Sequence, residues 1–318
     1  MNYKLFSITK IALILGVVFL ISTASRCNRP EEDTGYDIKA SFLKCRDPFI
    51  YYHQPEQMYY LHVNGGGKLT YYVSKDLENW KFCGTSFSPD EDFWGKNDFW
   101  APDLYEYKGK FYIFVTLSAP GTKRGTSVLV SDSPAGPFSP LVNKPVTPEG
   151  HQCLDGSLFI DTDGSPWLIY CREWLEVIDG QVCAMKLSDD LTHGVSEPVI
   201  LFQASDAGWT GNITANGVTG KVTDAPFIYR KDDGKLVMLW SSFQSGTGRY
   251  AIGQAFSDGD ITGPWTHDPE PVKVGGGHAM LFNNSFGQLM ISYHSPNNAP
   301  SFLTLQKAYI YKGRVLID

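Results

Sequence analysis

The chain has 318 residues, 42% of them hydrophobic and 14% aromatic, and a formal net charge of −7 at pH 7. That length and apolar content suffice for a large buried core. An acidic balance without a long Lys/Arg run excludes a surface built for nucleic acid or an anionic membrane. A neutral partner fits better, and the many Tyr, Trp and Phe side chains suit sugar faces, although most must fill space between structural elements.

At the N-terminus, Lys4 and Lys10 precede an apolar run from Ile11 to Ile21, followed by Ser22, Thr23, Ala24 and Ser25. The run is too short to span a bilayer comfortably and has the layout of an export leader over residues 1–27. Cys27 is placed like the lipidated cysteine of a bacterial lipoprotein, but Arg26 occupies a position that wants a small residue, so plain leader cleavage is an equal alternative. Glu31, Glu32 and Asp33 fall in a flexible tether over 28–40. The expected location is the periplasm or cell surface, with membrane contact only through a lipid anchor at Cys27. The other cysteines, Cys45, Cys83, Cys153, Cys171 and Cys183, form no C-x-x-C pair, which argues against zinc. Cys153, Cys171 and Cys183 either include a disulfide or pack as buried thiols.

From residue 41 onward an acidic or imidazole side chain five times precedes a short apolar strand: Asp47, Asp103, Asp155, Asp224 and His278, at intervals of 56, 52, 69 and 54 residues. A period near 50 is that of propeller blades. Hairpins are expected around Lys108-Gly109-Lys110, Asp163-Gly164-Ser165, Asp233-Gly234-Lys235 and Phe286-Gly287-Gln288, where glycine supplies the positive φ of a tight turn. Outer strands rhyme at Tyr71–Trp80, Ser127–Phe138 and Ala255–Trp265. Long amphipathic helical stretches are absent, which disfavours a βαβ architecture. The expectation is an all-β, five-bladed β-propeller over 41–318. Its innermost strands line a central channel, so the five strand-start side chains converge on one face. Carboxylates crowded there split into protonated and ionised members, which separates a proton donor from an acceptor.

The motifs Arg46-Asp47-Pro48, Trp100-Ala101-Pro102-Asp103, Asp155-Gly156-Ser157-Leu158-Phe159, Asp224-Ala225-Pro226 and Gly276-Gly277-His278, in this order, resemble glycoside hydrolase family 43, a family of five-bladed propellers. Sucrose-cleaving five-bladed glycosidases share an Arg-Asp-Pro element, but their Asn-Asp-Pro-Asn-Gly and Glu-Cys signatures are missing. The resemblance implies that Asp47 is the general base and Asp155 the residue that tunes and orients the acid. Inverting hydrolysis independently asks for one carboxylate to activate water and a protonated carboxyl opposite, about 6.5 to 9.5 Å away.

At the fourth motif the family's acid is a glutamate and this chain has Asp224. Its carboxyl is set back by roughly 1.5 Å, one carbon–carbon bond, and a misplacement of that order can cost about a hundredfold in rate. Either the pocket compensates and Asp224 is the acid, or another residue donates the proton, or the propeller only binds carbohydrate. Glu173 is the alternative acid, because a strand returning from the Asp163-Gly164 turn over Trp167–Cys171 brings it back to the active face. Trp174 and Trp100 are candidates to meet sugar. Asp103 either hydrogen-bonds substrate, holds Asp47, or caps its strand. His278 matches a histidine that in some family members lies near an axial calcium or its water shell. No cofactor is required and a structural calcium is allowed, although calcium prefers oxygen ligands. His151, His294, Trp94, Phe99, Trp100 and Trp209 lie in connections that could reach the pocket rim, and a packing or turn role is the default reading for each. The resemblance implies release of pentosyl groups from a plant polysaccharide, α-L-arabinofuranosyl first and β-xylosyl next. A β-galactan-directed glycosidase and a non-catalytic binder are the alternatives.

Overall fold

The computed structural model describes residues 35–318. The expected leader, Cys27 and the first part of the tether lie outside them.

Five antiparallel sheets form the blades of a five-bladed β-propeller. Counting from the hub outward, blade one runs Ile50–His53, Met58–Asn64, Leu69–Ser74 and Asn79–Phe87, and blade two Asn97–Tyr107, Lys110–Ala119, Thr122–Ser131 and Ser139–Pro140. Blade three comprises Cys153–Ile160, Pro166–Arg172, Gln181–Lys186 and Val199–Gln203; blade four, Asp224–Arg230, Leu236–Phe243, Tyr250–Ser257 and Thr266–His267; blade five, Gly277–Asn283, Leu289–Ser295, Phe302–Tyr311 and Arg314–Ile317. The expected turn glycines Gly109, Gly164, Gly234 and Gly287 all have φ between 75° and 83°. The long interval before Asp224 holds an inserted hairpin, Ile213–Ala215 with Val218–Gly220. The α-helix among the described residues is the single turn Trp174–Val177.

The expected tether boundary at residue 40 needs correction. Ile38–Lys39 pairs with Trp80 and Asn79 on the outside of blade one, so ordered sheet begins before residue 41. The chain then crosses to blade five, where Cys45 N–H donates to the Ser301 carbonyl and Leu303 N–H to the Leu43 carbonyl, each at 3.0 Å. These bonds tie the first blade to the last and close the ring.

Second strands are sandwiched between neighbouring blades, and Phe111 through Leu117 are buried without alternation for that reason. Trp209 and Trp240 pack with Ile169, Ala184 and Met238 between blades three and four. Each fully buried large apolar side chain contributes about 1.5–3 kcal/mol, so the blade interfaces dominate stability. Cys45, Cys153, Cys171 and Cys183 are buried and unbridged, which resolves the disulfide alternative in favour of packed thiols.

Candidate active site

The strand starts share one backbone device, and it is not centred where the acidic residues suggested. Asp47, Ala101, Asp155, Ala225 and His278 each have a left-handed φ, at 52°, 47°, 52°, 55° and 57°. In blades two to five a register shift follows within the same strand start. Left-handed backbone is unfavourable for residues with a Cβ and gathers at functional sites. The five residues recur at intervals of 54, 54, 70 and 53, so that apart from the interval before Ala225 the spacings agree within one residue, where those of the acids differ by up to four. Asp103 and Asp224 are therefore not equivalents of Asp47 and Asp155: Ala101 and Ala225 are. The signal was present in the prolines, since Pro48, Pro102 and Pro226 each follow the left-handed residue.

A side chain of the preceding blade holds the N–H of four of these turned residues, Asp47, Asp155, Ala225 and His278. Asp155 N–H donates to Thr116 Oγ1 at 2.8 Å, His278 N–H to Ser241 Oγ at 2.9 Å, and Asp47 N–H to His294 Nδ1 at 3.2 Å, the last across the ring closure. Thr116, Ser241 and His294 occupy matching places on second strands, each opposite the residue just before the turned one. Blade three has Cys171 at that place, a poor acceptor, and Ala225 N–H donates instead to Asp155 Oδ2 at 3.0 Å. Asp155 is thus held at its backbone by blade two and at its carboxylate by blade four. His294, expected in a connection, lies inside the buried strand Leu289–Ser295 because it supplies this inter-blade acceptor.

Asp47, Asp155, Asp224, Glu173, Trp100, Trp174 and His278 all line one cleft of about 660 Å³. His278 Nδ1 lies 3.0 Å from Asp47 Oδ1 and 3.7 Å from Asp155 Oδ2. Burial alone would lower the imidazole pKa, but these two carboxylates push it up to about 10, so the ring is a cation at neutral pH. Burial would raise Asp47, and the His278 cation outweighs it, holding Asp47 well below the usual carboxylate range. Asp155 is raised by burial and by Asp47. Asp224 is pushed up to about 8 by burial and by the Asp155 charge, against a 2.8 Å hydrogen bond donated by the Tyr250 hydroxyl. An ionised and a protonated carboxyl therefore face the same cavity.

Glu173 reaches the cleft as expected, since Arg172 pairs with Cys153 and the next residue opens the helical turn. Its carboxylate is ion-paired with Arg124, whose Nε also donates to Asp98 Oδ2 at 3.0 Å. Burial pushes the Glu173 carboxyl up while the guanidinium pulls against it. A carboxylate held by Arg is poorly suited to carry a transferable proton. The Arg124 guanidinium also lies 4.4 Å from the Trp100 ring centroid, and Trp100 remains 38% exposed. Arg124 and Tyr250 were missed by sequence reasoning, because neither belongs to a strand-start motif.

Asp103 is not part of the cleft lining, contrary to a substrate contact. Two residues past Ala101 on the innermost strand, it sits deeper on the axis, beside a cavity of about 10 Å³ shared with Asp155 and His278. Burial pushes it up to about 8, Tyr105 donates to its Oδ2 at 3.2 Å, and its buried Oδ1 has no partner. That space admits about one water and no hydrated calcium. Among the described residues no group of three or more His, Cys, Asp or Glu side chains is arranged to hold a metal. Phe99 and Trp209, expected in connections, are both buried, Phe99 within the first strand of blade two.

Two carboxyls in opposite protonation states on one sugar-sized cleft are the requirement of glycoside hydrolysis. The family model described as "Glycosyl hydrolases family 43" matches residues 42–317, so the chain belongs to that family, and it is a glycosidase acting on O-glycosyl bonds. It is similar to the crystal structure of an endo-arabinase from Bacteroides thetaiotaomicron VPI-5482, with 56% identity and a TM-score of 0.87 over 88% of this chain and 99% of that one. It is also 28% identical over 257 residues to the extracellular exo-alpha-(1->5)-L-arabinofuranosidase ArbA of Cellvibrio japonicus, covering 71% of this chain and 68% of the relative. A shorter match, 32% identical over 81 residues, joins it to xylosidase/arabinosidase 43A of Humicola insolens, over 26% of this chain and 24% of the relative.

Proposed function

We propose that this protein is an exported glycosidase that cleaves α-L-arabinofuranosyl linkages of an arabinan-type plant polysaccharide with inversion. Asp47 is the base and Asp224 the acid. In this mechanism Asp47 takes a proton from a water that attacks the anomeric carbon. Asp224 gives its proton to the glycosidic oxygen as that bond breaks, and Asp155 sets the charge that keeps Asp224 protonated. His278 keeps Asp47 ionised. The observation that carries the reading is the opposed state of the two carboxyls: Asp224 raised to about 8 and Asp47 held low, in one cleft.

The preference for arabinose rests on the likeness to an endo-arabinase and an exo-arabinofuranosidase. The test is incubation of purified protein with aryl α-L-arabinofuranoside, aryl β-xyloside, linear arabinan and galactan. The expected result is arabinose or arabino-oligosaccharide release, abolished in Asp47→Ala, with the inverted anomer formed first by NMR. Release from the aryl β-xyloside or galactan alone overturns the substrate assignment, and retention overturns the assigned roles.

A further inference from the structure

The Arg124–Glu173 ion pair does more than line the catalytic cleft. Glu173 is shared between that cleft and a neighbouring depression of about 450 Å³, whose wall also includes Thr122, Lys123 and Arg124. The same three residues begin a groove of about 720 Å³ between blades two and three. The ion pair is the sill between the cleft and this groove.

We propose that the groove is a second carbohydrate-binding stretch, occupied by the continuation of the polysaccharide chain whose linkage is cleaved at Asp47 and Asp224. This rests on the polysaccharide reading above. Three observations carry it. First, an indole lies on each side of the sill: Trp100 in the cleft, backed by the Arg124 guanidinium, and Trp94 in the groove. The Trp94 Nε1 is already committed to Ser127 Oγ at 2.7 Å, so what it can offer a ligand is ring surface. Second, the groove carries Lys144, Glu149 and Glu197, charges of both signs, together with the His193 imidazole. Lys123 and Arg124 at its mouth are neutralised by Glu176 and by Glu173 with Asp98. Such a surface does not select an anion or a cation; it offers interspersed donors and acceptors, which a neutral polyhydroxyl chain requires. Third, His151 lines the groove and its buried Nδ1 has no hydrogen-bond partner. A sugar hydroxyl entering there would satisfy it.

The test uses the catalytically disabled Asp47→Asn protein, so that binding is read without turnover, with arabino-oligosaccharides as probes in titration calorimetry. A trisaccharide reports the cleft, and an octasaccharide is long enough to cross the sill. The octasaccharide is expected to bind at least about tenfold more tightly, and Lys144→Ala/His193→Ala should collapse that ratio toward one, as expected for loss of about two hydrogen bonds. A His151→Ala change should reduce the ratio about fivefold by the same reasoning. Failure of the trisaccharide to bind overturns the arabinan reading and this inference with it. Tight trisaccharide binding with no gain on lengthening, or a gain unaffected by the groove variants, overturns this inference alone.

Discussion

The Tyr250 hydroxyl donates to Asp224 Oδ2 at 2.8 Å, and this contact defines which way the assigned acid faces. Tyr250 begins the third strand of blade four while Asp224 begins its first, and both line the cleft. Burial and the neighbouring Asp224 push the Tyr250 pKa up, so the phenol stays protonated and acts as a donor. With Oδ2 so occupied, Oδ1 is the oxygen left to hold a transferable proton. An aspartate fixed in this way replaces the longer glutamate of the family pattern.

Removing that donor takes away a group that favours the ionised form of Asp224. In Tyr250→Phe the Asp224 pKa should rise further, and the basic limb of the kcat/KM profile should move up by about one pH unit, because a hydrogen bond to a charged group contributes about 1.5–3 kcal/mol. An unmoved limb would mean that Asp224 does not govern it.

For the unmodified protein, the sign of the profile follows from the two carboxyls. In the proposed mechanism activity requires Asp224 protonated and Asp47 ionised. The rate should hold from mildly acidic to neutral pH and fall above about 8, where Asp224 loses its proton. Because Asp47 is held well below the usual range, no acidic limb should appear near pH 4 or 5. Replacing His278 with Gln removes the cation that holds Asp47 low, so an acidic limb should then emerge in rate measurements across that interval.

Asp224→Asn and Glu173→Gln should separate on leaving-group quality. Loss of a general acid costs about 10²–10⁴ in rate where the leaving oxygen needs protonation and far less on an activated aryl glycoside. Asp224→Asn is expected to show that pattern. Glu173→Gln, which breaks an ion pair with Arg124, should show comparable losses on both substrates. The reverse assignment would restore Glu173 as the acid.

Gly277 offers a steric route to the same contact. A Cβ built there would lie 1.9 Å from Tyr250 Cε1, so Gly277→Ala must displace the ring that holds Asp224. The basic limb of the rate profile is expected to move up in the manner of Tyr250→Phe, accompanied by a lower Tm from overpacking, about 1–3 kcal/mol.

Stability at the hub should depend on the inter-blade acceptors. Thr116 is fully buried and accepts from Asp155 N–H at 2.8 Å. Thr116→Val preserves shape but leaves that N–H unpaired, a cost of about 1–3 kcal/mol. Thermal unfolding should show a Tm lower by several degrees, recovered in Thr116→Ser.

The repeat period, the glycine turns and the acidic strand starts were sufficient to specify five blades and to bring Asp47, Asp155, Asp224 and His278 to one hub, because a propeller's inner strands must share its axis. The same pattern misplaced Asp103. Matching acids to acids ignored the prolines, and a shift of two residues along an innermost strand moves a side chain from the cleft into the channel.

What the amino-acid order determined by itself was local: where strands begin and turn, and which residue types recur at blade spacing. The partners were settled only by the folding of each blade and its packing on the next around the ring, which sets Tyr250 on Asp224, Arg124 on Glu173, His294 behind Asp47 and Thr116 behind Asp155. Those pairs are separated by tens to hundreds of residues, and their energies depend on distance and burial, quantities that a linear pattern does not contain. The protonation states on which the proposed chemistry rests are therefore products of the assembled hub.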